Sequence, residues 1–208
     1  MNPRGHAKKT RTLILRTAYY LFLIGGILGL SYAGYIFAEA HAYQALQESK
    51  FEKVDRTEKR LPVPVAPVIV GGVIGEMEIP RLGLKVIVVQ GDSSRILRLA
   101  VGHVPETALP GESGNVSLTG HRDTFFRPLR NIQSGDAITL KTSGGEFRYE
   151  VESTAVVEPS DVSVLRPTIE PTLTLITCFP FYYVGPAPNR FIVRARQIDP
   201  PPDQISQR

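Results

Sequence analysis

Hydrophobic and polar positions divide this chain into stretches with different patterns. Thr17 to Ala38 (TAYYLFLIGGILGLSYAGYIFA) is apolar around its whole circumference and has 22 residues without a formal charge. At about 1.5 Å per residue it is long enough to cross a hydrocarbon layer about 30 Å thick, so it predicts a single transmembrane helix. Glu39 to Arg60 (EAHAYQALQESKFEKVDRTEKR) is charge-rich and full of helix formers, which predicts a solvated helical stalk. Leu61 to Val70 (LPVPVAPVIV) carries Pro62, Pro64 and Pro67, which block helix and favour an extended spacer. From Gly71 the pattern changes to short β-branched runs separated by turn residues. Val73 to Ile79, Lys85 to Gln90, Asn115 to Thr119, Ala137 to Thr142, Glu146 to Val157, Thr172 to Thr177 and Arg190 to Gln197 read as strands. Ser143-Gly144-Gly145 between two of them is a hairpin signal. RILRLAVGH, behind the capping oxygens of Asp92, Ser93 and Ser94, predicts a helix of about two turns. Thr124 to Ile132 reads as a loop or single turn, and residues 198–208 as a frayed tail.

Composition supports an all-β reading with one core. The 208 residues are 42% hydrophobic, with 18 Gly and 17 Pro and no collagen-like period. The net charge of +4 is uneven: Arg4, Lys8, Lys9, Arg11 and Arg16 lie before residue 39 with no acid among them, leaving 19 basic against 20 acidic groups beyond. The basic excess is thus a leader on one side of the apolar helix rather than a nucleic-acid surface. By the positive-inside rule, residues 1–16 are cytoplasmic, 17–38 span the membrane, 39–70 form stalk and linker, and 71–197 form an extracytoplasmic domain. A cleaved signal peptide with its site at Ala38-Glu39-Ala40 is the competing reading. The length of the apolar run favours an uncleaved anchor.

Chemistry-bearing residues are few. Cys178 is the one thiol of the chain, so it has no partner within the chain for a disulfide. It follows the apolar run LTLIT, and a strand end at a barrel mouth is a rigid place to present a nucleophile. A buried core cysteine or an intermolecular disulfide are the alternatives. His121, in LTGHRDTFF, and His103, in AVGHVPET, are the two imidazoles able to serve it, because His6 precedes the membrane helix and His41 adjoins it. Residues 179–189 (FPFYYVGPAPN) read as an antiparallel connection that returns Arg190 toward Cys178, where a permanent cation could bind an oxyanion. Arg190 could equally be a strand-edge arginine. Phe125, Phe126, Phe179, Phe181, Tyr182 and Tyr183 are candidates for an apolar wall or for core. Glu158, Asp161 and Glu170 show no regular ligand spacing, so no metal and no cofactor is expected; Asp123 could orient a ring or simply make a turn.

The run GHVPETALPGESGNVSLTGHRDTFF (Gly102 to Phe126), TLITC ending at Cys178, and Arg190 twelve residues later together resemble the sortases, most of all their class D group. The similarity covers about residues 71–197. It implies an eight-stranded β-barrel with one or two short helices, a cysteine transpeptidase in the hydrolase/peptidase class, and no cofactor. His121, Cys178 and Arg190 then match the family's catalytic residues, and Thr177 matches the threonine that helps hold the sorting peptide. The implied partners are secreted proteins with an LPxTG-like signal and an amine acceptor from a cell-wall precursor or another protein. A free thiol and imidazole titrate near 8.5 and 6.5, so an active ion pair at neutral pH requires strong coupling or is a minority species, and turnover is expected to be slow. A hydrolase using water as acceptor and a tethered binding module with a buried Cys178 are the competing functions. Cysteine-dependent L,D-transpeptidases lack support, since no SHGC-type segment occurs.

Overall fold

The computed structural model describes residues 3–58 and 69–198. Most of the Pro-rich spacer and all but the first residue of the expected tail lie outside these described residues.

The chain forms two compact units, residues 1–42 and 43–208. Helix α1, Pro3–Glu58, supplies the first and runs on into the second. Within it, Leu15–Ser49 is long and apolar enough to cross a membrane.

The second unit is a closed eight-stranded barrel, as the resemblance implies. Its strands are β1 (Val73–Ile79), β2 (Leu84–Gln90), β3 (Val101–His103), β4 (Asn115–Thr119), β5 (Ala137–Thr142), β6 (Gly145–Val157), β7 (Thr172–Phe179) and β8 (Asn189–Gln197). Around the barrel they run β1-β2-β3-β4-β7-β8-β6-β5, and β5 pairs back to β1 to close it. Pairing is antiparallel except for β2 with β3 and β4 with β7. Inward positions pack the core: Met77 and Ile79 from β1, Leu118 from β4, Leu140 from β5, Tyr149 from β6, Leu173 and Leu175 from β7, and Val193 from β8.

One expectation is corrected. RILRLAVGH is not a single helix: α2 (Ser94–Leu99) takes only its first part, capped by Ser93, whose hydroxyl accepts the Ile96 amide. Ala100 is extended, and Val101–His103 becomes a strand between β2 and β4. Two lines of non-local hydrogen bonds there outweigh the local helical pattern.

The β2 strand has a continuous buried run, Val86 to Val89, because both of its faces are covered. Inside lies the barrel core. Outside, Ile87 and Val89 form a second cluster with Ala100, against which Tyr43, Val73 and Ile96 pack. Gln44 fastens this layer: its Oε1 accepts the Ile87 amide at 2.9 Å and its Nε2 donates to the Leu99 carbonyl at 2.6 Å. Lys85 bridges Glu48 and the buried Glu76. From Tyr43 on, the segment expected to be a solvated stalk therefore belongs to the barrel's unit.

Candidate active site

Strand parity decides which way each candidate faces. Leu173 and Leu175 point into the core, so alternation puts Thr174, Ile176 and Cys178 on the outside of β7. Cys178 is thus carried on the outward face of β7, one residue before the end of the strand. Its partner directly across β8 is Arg190. Opposed residues of an antiparallel pair share a face with Cβ atoms about 4.5–5.5 Å apart, so thiol and guanidinium project side by side.

The other neighbour of β7 is the parallel strand β4, where Thr119 is level with Ile176. Gly120 extends that pairing, donating its amide to Ile176 O at 3.2 Å and accepting the Thr177 hydroxyl at 2.7 Å. Continuing the register by one residue sets His121 level with Cys178. The three candidates therefore occupy adjacent tracks, β4, β7 and β8, at the same end of the sheet, and each is half-buried.

Local packing holds this geometry. Phe126 is fully buried, and its amide donates to the His121 carbonyl at 3.0 Å, closing the loop that follows β4. A Cβ on Gly120 would lie 3.0 Å from the Phe126 ring, so the residue before the histidine has little room for a side chain. Thr177 is 2% exposed, and its hydroxyl is engaged with Gly120 O, tying the histidine segment to the cysteine strand.

Arg190 Nη1 donates to the carbonyls of Asn189 at 3.0 Å and Ala187 at 3.4 Å. Among the described residues no carboxylate forms an ion pair with it. Among the described residues only Nη1 is engaged, so its other donors can serve an anionic oxygen.

The rival His103 is 1% exposed, with Nδ1 2.9 Å from Gln90 Oε1 and Nε2 2.9 Å from Ala108 O and 3.1 Å from the Thr107 hydroxyl. Burial lowers its pKa, with the Ala108 carbonyl opposing. It is a structural imidazole whose ring nitrogens are already occupied. His41 Nδ1 contacts the Phe37 carbonyl one helical turn back, and the side chain of His6 lies outside the described residues.

The six aromatics differ in burial. Phe126 belongs to the core, with Phe125 and Phe181 packed against it. Phe179 and Phe191 stack, and Phe181 meets both edge-on, with ring centres 5.3–6.1 Å apart. Tyr182 and Tyr183 are 76% and 46% exposed in the β7–β8 loop. Asp161 is a turn cap: its Oδ1 accepts the Ser163 amide at 3.0 Å at the start of the short turn Val162–Leu165. Asp123 is exposed. Arg122, not singled out from the sequence except as part of the GHR run, reaches across to the β7–β8 loop.

A half-buried thiol, a guanidinium in register with it and an imidazole on the adjoining track match what thioester chemistry requires. The family model for the sortase domain matches residues 77–198. This chain belongs to the sortase family. It is 38% identical to Sortase D of Bacillus subtilis over 129 residues, 62% of this chain and 65% of that protein. It is 32% identical to Sortase SrtE1 of Streptomyces coelicolor over 183 residues, 77% of this chain and 51% of that one. Sortase similarity thus extends over about half to two thirds of these relatives' length. Among solved structures, the barrel is similar to a Clostridium perfringens Sortase D5 transpeptidase, with a TM-score of 0.62 and 29% identity over 78% of this chain and 99% of that one.

Proposed function

We propose that this sortase is a membrane-anchored cysteine transpeptidase, with Cys178 as nucleophile, Arg190 as oxyanion donor and His121 as the acid–base group. The observation that carries the reading is the direct cross-strand pairing of Cys178 with Arg190, beside the β4 track that ends in His121.

In this reading the Cys178 thiolate adds to the scissile carbonyl of an LPxTG-like sorting signal, and Arg190 binds the resulting oxyanion. The carbon–nitrogen bond breaks as the His121 imidazolium gives its proton to the departing amine, leaving a thioester on Cys178 and a neutral imidazole. The acceptor amine then adds to the thioester carbon, His121 takes up its proton, and the thiolate leaves. The acceptor is a cell-wall precursor peptide or another protein subunit. Thr177 supports the peptide site by holding Gly120 and, through it, His121. The apolar stretch of α1 anchors the enzyme in the plasma membrane with the basic leader in the cytoplasm and the barrel outside, where the secreted substrates are.

The test is incubation of the full-length chain in detergent with LPxTG, LPxTA and LAxTG peptides, with and without an amine. Mass spectrometry is expected to find an acyl adduct on Cys178 and an amine-dependent second product. Cys178→Ala is expected to fold as the wild type does and to cleave nothing; peptide cleavage by that variant refutes the nucleophile. Equal hydrolysis with and without amine identifies a simple peptidase instead.

A further inference from the structure

The arginine next to His121 makes a set of contacts that the reaction scheme leaves unused. Arg122 Nη1 donates to the Pro180 carbonyl at 2.9 Å, while Nη2 donates to the carbonyls of Tyr183 at 2.6 Å and Gly185 at 3.1 Å. Its guanidinium also lies over the Tyr183 ring, 5.8 Å from the centre. All of these partners belong to the β7–β8 loop, which begins just after Cys178 and returns the chain to Arg190. A second cation from the β4–β5 connection, Arg130, lies 5.6 Å from the centre of the Tyr182 ring.

Phe181 anchors the start of this loop against the core, and the stretch beyond it lies open. Tyr182 to Pro186 are all exposed, and Gly185 takes a left-handed conformation with φ of 101°. The loop nevertheless has a demanding task, because the Arg190 guanidinium rests on its Ala187 carbonyl and on that of Asn189, where the loop enters β8. A line of contacts therefore runs from His121 to its neighbour Arg122, through the loop backbone, to the support beneath Arg190. A planar guanidinium can donate to three carbonyls from fixed directions, whereas a lysine ammonium is a single point that cannot span them.

We propose that Arg122 is a positioning residue for the transpeptidation read above: it ties the β7–β8 loop to the histidine segment and so sets the placement of His121 and Arg190 relative to Cys178. The proposal rests on the sortase reading of the site. Misplacement of reacting groups by about 1 Å can cost on the order of 10²-fold in rate. Removing the tie therefore lowers kcat while leaving peptide capture largely intact.

The experiment compares wild type, Arg122→Ala and Arg122→Lys as full-length chains in detergent. Peptide cleavage kinetics are read beside limited chymotrypsin cleavage after Tyr182 and Tyr183. Both variants are expected to lose on the order of 10²-fold in kcat with little change in KM, and to be nicked in the loop faster than wild type. The lysine variant decides the matter if the alanine variant does not fold, because it keeps the charge and most of the bulk. Wild-type kcat in Arg122→Lys, a rise in KM alone, or unchanged nicking of the loop would each overturn the proposal. Absence of any acyl adduct on wild-type Cys178 is a different failure: it removes the proposed transpeptidation at Cys178, and the chymotrypsin comparison still reports whether the tie exists.

Discussion

Cys178 and Arg190 are twelve residues apart in the chain and directly opposed across two strands. The sequence allowed this pairing through the turn residues between them, but it left two readings of the arginine open, oxyanion donor or edge charge. The register, and the lack of an ion-pair partner among the described residues, favour the first. Arg190→Lys keeps the charge and loses the forked donor geometry, so kcat/KM is expected to fall by about 10²–10³-fold, as when an oxyanion donor is removed. Steady-state cleavage of a sorting peptide measures this, and a wild-type value makes the arginine structural. The two histidines were harder to separate from sequence, since each follows a glycine at the end of an apolar run. Only the structure shows that His103 spends its ring on Gln90, Thr107 and Ala108, while His121 follows the end of β4 and stays half-buried. Thr177 carries a similar lesson. Its place beside the cysteine was legible, but its bond to Gly120 O depends on a segment 57 residues away.

At the scale of elements, most strands follow from β-branched runs and turn signals, and the hairpin at Ser143–Gly145 joins β5 to β6 as expected. The missed element, β3, is three residues long and has no period of its own. It is a strand because β2 and β4 supply hydrogen bonds on both sides. The unbroken apolar run of β2 was a readable sign that both faces are covered, yet nothing local named the cover. That cover includes Tyr43 and Gln44, more than 40 residues upstream. Gln44→Ala leaves the Ile87 amide and the Leu99 carbonyl without this partner in a partly buried layer. It is expected to destabilise the barrel by about 1–3 kcal/mol, read as a lower denaturation midpoint. An unchanged midpoint would show that the contact adds nothing.

The barrel closes between β1 and β5. Close to that seam, Arg81, in the short turn Pro80–Leu82, pairs with Asp136 at the threshold of β5, and its Nη2 reaches Asp136 Oδ2 and the Asn131 carbonyl, each at 2.6 Å. The Arg81 hydrogen bond, helped by the Gln133 amide, holds the Asp136 carboxyl below its ordinary range, with burial pulling the other way. A carboxylate with a depressed native pKa stabilises the fold above its unfolded value of about 3.9, and the contribution is lost as pH falls through the lower native value. Thermal melts are therefore expected to show a lower Tm for Asp136→Asn at neutral pH and a shallower decline below about pH 4 than wild type. Parallel acid limbs for the two proteins would rule out a part for this pair in stability.

The sequence by itself determined the apolar helix, the all-β domain and the candidate chemistry-bearing residues. Those depend on composition and on periods of two to four residues, which are local quantities. Tertiary structure alone decided that Cys178 lies opposite Arg190 on the outward face of β7 and β8, that His103 spends its ring on Gln90, Thr107 and Ala108, that Arg122 grips the β7–β8 loop, and that Gln44 belongs to the barrel. Each of these rests on strand register or on a bond between residues far apart in the chain. Which distant groups meet is decided by how the sheet closes, since a shift of one residue in register would turn every side chain of a strand to its other face.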